Sequence, residues 1–512
     1  MSRISVWILG DQLLVRHPAL RRAAELASRE DISVVMIESD ERFRHLPYHR
    51  KKRVLLLSAM RHYALDLRSQ GYDVDYRRGT SFSTELQAHI LQKGSEILLT
   101  MAGAEYATRM YQAHQLGAEL GVRVELLANE QFLVEEYLPY PNPVSGKRYV
   151  MEGFYRAMRR HYHVLVNDDG DPVGDRWNFD HDNRKPLPKD LTLPASPLFT
   201  PDSLTEQAIA EVNADGAGVG HTQDFGYATT HANATRALQD FIDNRLPYFG
   251  DYEDAMSEAS SQLFHSNLAL YLNIGLLTPL EVIRAAEAAY TDGSAPLNAV
   301  EGFIRQILGW REYIYWRYWQ QMPGLRTTNA WDARRHMPAM FWGAHTQMRC
   351  IHILMSRLLK DGYTHHIERL MVITNFCMLA GIEPSVVADW FLTFYVDAYD
   401  WVVLPNVIGM GLHADDGEIA TKPYISSANY INRMSDYCQS CHFDPKKRHG
   451  RDACPFNMLY WNFLITHEAR LRSNPRMGPN VLALKHLSSE ERSIIQQQAQ
   501  DFLNALAYYA TD

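Results

Sequence analysis

Five cysteines carry the sharpest chemical signal in the chain, and none lies before Cys350. Cys438 and Cys441 form a C-x2-C pair, twelve residues separate Cys441 from Cys454, and Pro455 follows directly. Cys350 stands far upstream. Four thiolates satisfy either tetrahedral zinc or a [4Fe-4S] cube. A zinc ribbon would pair C-x2-C motifs on both sides. One C-x2-C with a distant Cys and a Cys-Pro is closer to iron–sulfur ligation, and spacing alone leaves both open. Cys377 sits in the apolar run Phe376-Cys377-Met378-Leu379 and reads as a small core residue. A disulfide-stapled secreted protein would spread its cysteines through both halves, so this clustering points to metal ligation.

Other groups are less specific. Asp11 and Glu38 fall at the carboxyl ends of strand-like segments, where a ligand can sit; helix capping or solvation is the alternative. Arg156 and Arg160 are four apart and share a helix face with Arg159 nearby, which suits a phosphate-facing strip or a solvated face. Lys446, Lys447, Arg448 and Arg451 cluster beside the cysteines.

These groups need elements to position them. Apolar runs at 4–9, 33–37, 72–76, 97–100 and 122–127 read as buried strands, and amphipathic segments at 53–69, 84–93 and 106–120 as the helices between them. Strands alternating with helices predict an α/β doubly wound parallel sheet over residues 1–135. The first strand ends in Gly10-Asp11-Gln12-Leu13, which is not GxGxxG, and no Walker A pattern occurs. Prolines punctuate 136–230 and predict an interdomain connector with one helical island at 151–163. From 231 to 512 helical periodicity dominates, at 234–246, 268–276, 279–289, 298–321, 346–360, 365–380 and 384–395. This predicts a large all-α C-terminal domain able to enclose a bulky cofactor.

Composition sets the outer bounds. Hydrophobic residues make up 46% and charged residues 22% of the 512, which marks a folded chain rather than a disordered one. The net charge of −9 argues against a charge-driven nucleic-acid coat but leaves room for a local basic groove. No run of 18 apolar residues occurs, so no membrane-spanning helix is expected. The N-terminus runs straight into a strand without a signal-like apolar stretch, and a cytoplasmic monomer is expected.

Several strings, in order and spacing, resemble one family. Trp310-Arg311-Glu312, the run from Gly362-Tyr363-Thr364-His365-His366 through Arg369, and Asp397-Ala398-Tyr399-Asp400 resemble the flavin domain of photolyases and cryptochromes. Arg176-Trp177-Asn178-Phe179-Asp180, Pro405-Asn406-Val407-Ile408-Gly409-Met410 and the run from Asn429 to Cys438 are similar to the iron–sulfur bacterial cryptochrome and prokaryotic (6-4) photolyase branch. The resemblance covers essentially the whole chain.

That resemblance implies light-driven repair of (6-4) pyrimidine–pyrimidone photoproducts in UV-damaged DNA by electron transfer from reduced FAD. It implies FAD contacts at His265, Ser266, Asn267, Leu268, Gln306, Trp310, Arg311, Arg369, Asp397 and Asn406. It also implies a [4Fe-4S] cluster on Cys350, Cys438, Cys441 and Cys454. A 6,7-dimethyl-8-ribityllumazine antenna is implied in the N-terminal half, with Asp11 and Glu38 as contacts. His366 would donate the proton that repair requires, with His365 supporting it and Tyr424 at the lesion pocket. Trp342 and Trp390 would relay electrons. Two positions depart from the family pattern. Phe391 replaces an expected Tyr, which puts the outer end of the relay in doubt and brings Tyr395 or Tyr399 forward as substitutes. Val403 replaces an expected acid beside the flavin. A cryptochrome-like blue-light photoreceptor with the same cofactors is the alternative, and a zinc-bearing nucleic-acid binder a third.

Overall fold

The computed structural model describes residues 3–144 and 147–508. Five strands, β1 (Ile4–Trp7), β2 (Ile32–Ser39), β3 (Asp73–Gly79), β4 (Ile97–Met101) and β5 (Arg123–Leu127), form one parallel sheet in the order β3-β2-β1-β4-β5. Both faces are covered, as an all-parallel sheet requires. Side chains alternate along β1 accordingly. Ile4, Val6 and Ile8 join the main hydrophobic core, while Trp7 and Leu9 join a smaller one against the Phe82–Lys93 helix. The expected α/β half followed by a helical half is what the chain forms.

The main core runs without a break from the sheet into the helices beyond residue 231. The two parts also meet through backbone: Leu13 N–H donates to Ile274 O at 2.8 Å. Gly275 makes this approach feasible. Its φ is +81°, and a Cβ there would stand 2.9 Å from Leu13 N.

Several expected helices differ in detail. The 136–230 stretch holds two helices, Met151–Tyr162 and Ser203–Asp215, not one. The second starts at an Asp202 side chain that accepts from Thr205 N–H, and buries Thr205, Ala208 and Val212 at helical spacing. The 106–120 helix breaks at Gln115, and 268–276 shrinks to Ala269–Leu272. Most consequential, the long helices expected at 298–321 and 365–380 each contain a π-helical segment, Arg305–Arg311 and Glu368–Thr374; a third spans Leu404–Gly411. Wide i→i+5 turns of this kind are uncommon and concentrate at functional sites.

No helix among the described residues is long and apolar enough to cross a membrane.

Candidate functional site

All three π-helical segments face one cavity of about 340 Å³, within the size range of small-molecule sites. Arg305–Arg311 contributes Gln306, Trp310 and Arg311; Glu368–Thr374 contributes Arg369; Leu404–Gly411 contributes Asn406. The turn ahead of Ala269 adds His265, Ser266, Asn267 and Leu268, and Asp397 closes the wall. The ten residues singled out for FAD by sequence therefore line a single space.

Its polar lining is partly uncommitted. Buried Nε and Nη2 of Arg311 have no hydrogen-bond partner, nor does Oδ1 of Asn267, which sits at φ +56°. Such orphans are costly to bury; the Arg311 N–H groups suit an anionic or acceptor group of a ligand, and the Asn267 oxygen suits a donor such as a hydroxyl. Other groups are fixed. Arg369 clamps Asp397 through two 3.0 Å bonds and donates to Thr364 O at 2.7 Å, and Gln306 donates to Gly302 O at 3.0 Å. Val403 and Phe391 line the same cavity, so both departures from the family pattern fall on its wall.

The histidines divide. His366 opens onto the cavity. Desolvation by the surrounding protein lowers its pKa, with the Asp254 charge opposing. His365 is buried behind it and stacks on His265 at 4.4 Å and 12°; His265 meets His366 edge-on at 5.3 Å. Burial holds His265 and His365 neutral, well below the usual imidazole range. Tyr424 is half-buried and is not on the cavity wall; burial raises its pKa, with Arg476 and Arg184 opposing.

Trp390 is buried against Phe394 at 4.9 Å, and half-buried Trp342 packs on the other edge of Phe394 at 5.5 Å. Phe391 is at the cavity end of this aromatic run, so its expected place at the outer end is wrong. Tyr395 stacks on Phe391 at 5.0 Å and 10°, lies 6.1 Å from Trp390, and lines the cavity as well. Tyr399 points the other way, into a second cavity.

That second cavity, about 80 Å³, lies where the strand order reverses, between the carboxyl ends of β1 and β4. This is the switch point at which open α/β sheets bind ligands. Asp11 lines it as expected. Glu38 does not. Ile37 and Ser39 face the cavity, and the two-residue strand period turns Glu38 to the opposite face. There Arg61 grips it at 2.9 and 3.2 Å and the Tyr76 hydroxyl donates to it at 2.5 Å. Sequence reading missed Arg42, Lys52 and Glu105 on this wall; Glu105 lies four residues past β4, the position equivalent to Asp11 after β1, and was findable on that ground. Burial and the Glu105 charge raise Asp11 to about 6, and burial lowers Lys52 to about 8. Burial is the largest influence on Glu105 and pushes it up, but Arg42, the Asp400 backbone N–H and Lys52 together outweigh it and the net shift is down.

Cys350, Cys438, Cys441 and Cys454 converge on a small pocket walled by Met348, Phe443 and Phe456. Cys377 is elsewhere, fully buried beside Met337, as expected. Burial and then the neighbouring sulfurs push Cys350 well up and Cys438 to about 12; burial takes Cys454 to about 11. Four thiolates coexist there only against a cation.

The basic groups fare less well. Arg159 is buried and donates to Val164 O, Trp177 O and Leu165 O, and Arg156 pairs with Glu152 at 2.8 Å. All three arginines of this helix pack around Trp177. Arg159 is therefore structural, while Arg156 and Arg160 keep solvent-accessible side chains. In the second cluster Lys447 pairs with Asp452, and Arg448 packs on Trp461 at 4.7 Å.

A parallel sheet with a ligand cavity at its switch point, followed by helices around a larger cavity, is the architecture of photolyases and cryptochromes. The family described as deoxyribodipyrimidine photo-lyase-related protein matches residues 6–227. A bacterial class III photolyase from Agrobacterium tumefaciens has the same fold, with a TM-score of 0.56 at 18% identity over 85% of this chain and 86% of that one. So does the Synechocystis sp. PCC6803 cryptochrome, at 0.58 and 15% over 85% and 86%. A (6-4) photolyase from Agrobacterium fabrum is 42% identical over 515 residues, 99% of this chain and 100% of that protein. The chain belongs to the photolyase/cryptochrome family, and this full-length likeness is to its (6-4) photolyases.

Proposed function

We propose that this protein is a light-driven (6-4) photoproduct lyase acting on UV-damaged DNA, with FAD in the large cavity. The observation that carries the reading is the convergence of all ten flavin candidates on one cavity that His366 opens onto; the full-length (6-4) photolyase relative supports it. The unpartnered Arg311 N–H groups fit the acceptor atoms of FAD and the unpartnered Asn267 oxygen fits one of its hydroxyl or amine donors. Bound there, FAD supplies the photoexcited electron. The chain does the rest. Arg369 and Asp397 fix the wall. His366 donates a proton to the migrating hydroxyl, with His365 and His265 behind it. Tyr424, which is not on the cavity wall, is assigned to the lesion pocket by the family resemblance alone. The damaged bases leave the stack to reach His366.

Trp342 and Trp390 carry electrons inward. Phenylalanine is a poor hole carrier, so Tyr395, stacked beside Phe391, takes the place nearest the cavity. The four thiols hold a [4Fe-4S] cluster. Tetrahedral zinc at a Zn–S distance of about 2.3 Å would bring sulfurs to about 3.8 Å from one another. A single C-x2-C with a distant Cys and a Cys-Pro favours the wider cube over such a site. The switch-point cavity takes the ribityllumazine antenna, with Asp11, Arg42, Lys52 and Glu105 as its polar contacts. We further propose a cytoplasmic monomer divided at residues 1–135, 136–230 and 231–512.

Val403 and Phe391 are the residues that favour a photoreceptor. The deciding experiment illuminates reduced protein with a (6-4) oligonucleotide and assays restored thymines. Restoration in light and not in darkness is expected. Intact photoreduction without restoration overturns the repair reading in favour of the sensor.

A further inference from the structure

The thiol site and the cavity histidines are joined by one buried carboxylate. Glu368 is fully buried. It accepts from Arg357 Nη1 at 2.8 Å, from the Tyr437 hydroxyl at 2.5 Å and from the His365 backbone N–H at 3.3 Å. Arg357 also reaches the Tyr437 oxygen at 3.0 Å and Ser257 O at 2.5 Å. Both side-chain partners of Glu368 come from the segments that bring the thiols. Tyr437 directly precedes Cys438, and Arg357 lies two turns beyond Cys350 on the Arg349–Asp361 helix. The same segments are pinned a second time. Asp436 accepts from the Ser257 hydroxyl and the Glu258 N–H, each at 2.8 Å, and Glu258 pairs with Arg349 at 2.5 Å.

On its other side Glu368 faces His365. The imidazole Nε2 stands 3.6 Å from Glu368 Oε1, too long for a hydrogen bond, and neither ring nitrogen has any hydrogen-bond partner. A shift of about half an ångström would make the bond. A buried carboxylate is costly to keep unless it is paired, and apolar packing would fill this space without it. One ring nitrogen from each of His265, His365 and His366 lies within 4.8 Å of the other two. The near-parallel stack of the first two aims their in-plane lone pairs past one another rather than at a shared ion, so these rings fit an ordered stack better than a metal site.

We propose that Glu368, held by Tyr437 and Arg357, is a positioning residue for the His365–His265 stack and the His366 ring edge-on to it, so that the fold of the four-thiol site sets the orientation of the imidazole on the cavity wall. Its consequence for repair rests on the reading above; the geometry does not. Tyr437→Phe removes one donor and keeps the ring, and Glu368→Gln removes the charge and keeps the shape. Both are read on the full-length holoprotein by nitrogen-15 histidine NMR and by repair yield per absorbed photon. The expected result is that either variant shifts the His365 and His366 imidazole resonances and lowers the yield about tenfold. Flavin content, photoreduction rate and affinity for lesion DNA stay unchanged. In a His365→Ala background Tyr437→Phe then adds less than about twofold. Unchanged imidazole resonances, or an equal loss in both backgrounds, overturn the proposal. Should the parent protein fail to repair, the functional reading falls and the imidazole spectra alone decide the bridge. Should one variant fail to fold, the other is read in the same way.

Discussion

At the scale of single residues, the cavity wall assigns different work to chemically similar side chains. His366 opens onto the cavity with a lowered pKa, so it is mostly neutral at pH 7 and gains its proton only below the ordinary value of 6.5. If the imidazolium is the donor, repair yield rises as pH falls from about 8 toward 6, and a pH profile of yield per photon checks the sign. His366→Ala lowers repair by about 100-fold or more while photoreduction survives, which separates proton delivery from electron delivery. Tyr395 gives the converse case. Tyr395→Phe slows photoreduction in flash photolysis and leaves repair by chemically reduced protein within about twofold, if Tyr395 is the hopping site that Phe391 cannot be. The C-x2-C pair was legible from its local spacing, whereas the flavin-binding residues were reached through the resemblance of their strings to the family. Glu38 was misread because only strand phase decides which face a residue takes. Tyr399 was misread because consecutive residues serve different cavities: Ala398 lines the large one and Tyr399 the switch-point one.

At the scale of elements, the π-helical segments are what the sequence hides. Apolar residues over 298–321 and 365–380 read as continuous α-helix, since both stretches are buried on nearly every side and carry no clear phase for an inserted residue to shift. Yet the widened turns carry Gln306, Trp310 and Arg311 on one side of the cavity and Arg369 on another. Deleting Leu308 closes the Arg305–Arg311 segment back toward α geometry and re-phases those side chains by about 100°. The expected outcome is a protein with parent-like circular dichroism that has lost most of its bound flavin, measured by absorbance per chain. The strands were easier to read, because buried parallel strands are short continuous apolar runs. At the junction of sheet and helices, Gly275→Ala meets both a positive φ and the Leu13 backbone. It is expected to cost about 1–3 kcal/mol in urea-induced unfolding.

At the scale of the whole molecule, the helical half surrounds a cavity, and the sheet presses its switch-point cavity against the same wall, with residues 397–399 between them. The order of sheet and helices was legible from alternating patterns. The unbroken core joining them was not, because its contacts span hundreds of residues. Burial on this scale shapes acid stability. His17 is 1% exposed, its Nδ1 accepts from Ala19 N–H, and burial lowers its pKa from 6.5 to about 3. In that window the unfolded chain binds a proton that the native one refuses, so stability falls as pH drops below 6.5, by about 1.4 kcal/mol per pH unit from this residue. His17→Asn keeps a side-chain acceptor at the helix cap and removes the titration. Its unfolding free energy falls less steeply than the parent's between pH 6 and 4, as urea denaturation at each pH would register.

The central claim is that a flavin in the large cavity, excited directly or through the antenna, drives the chemistry. The action spectrum of (6-4) photoproduct repair by the reduced protein tests it most directly. Repair efficiency is predicted to follow the absorption of the bound reduced flavin and its antenna, wavelength by wavelength, and to vanish when the flavin is stripped. Repair that persists in the dark or in flavin-free protein contradicts the account, as does a lack of repair at every wavelength the bound pigments absorb.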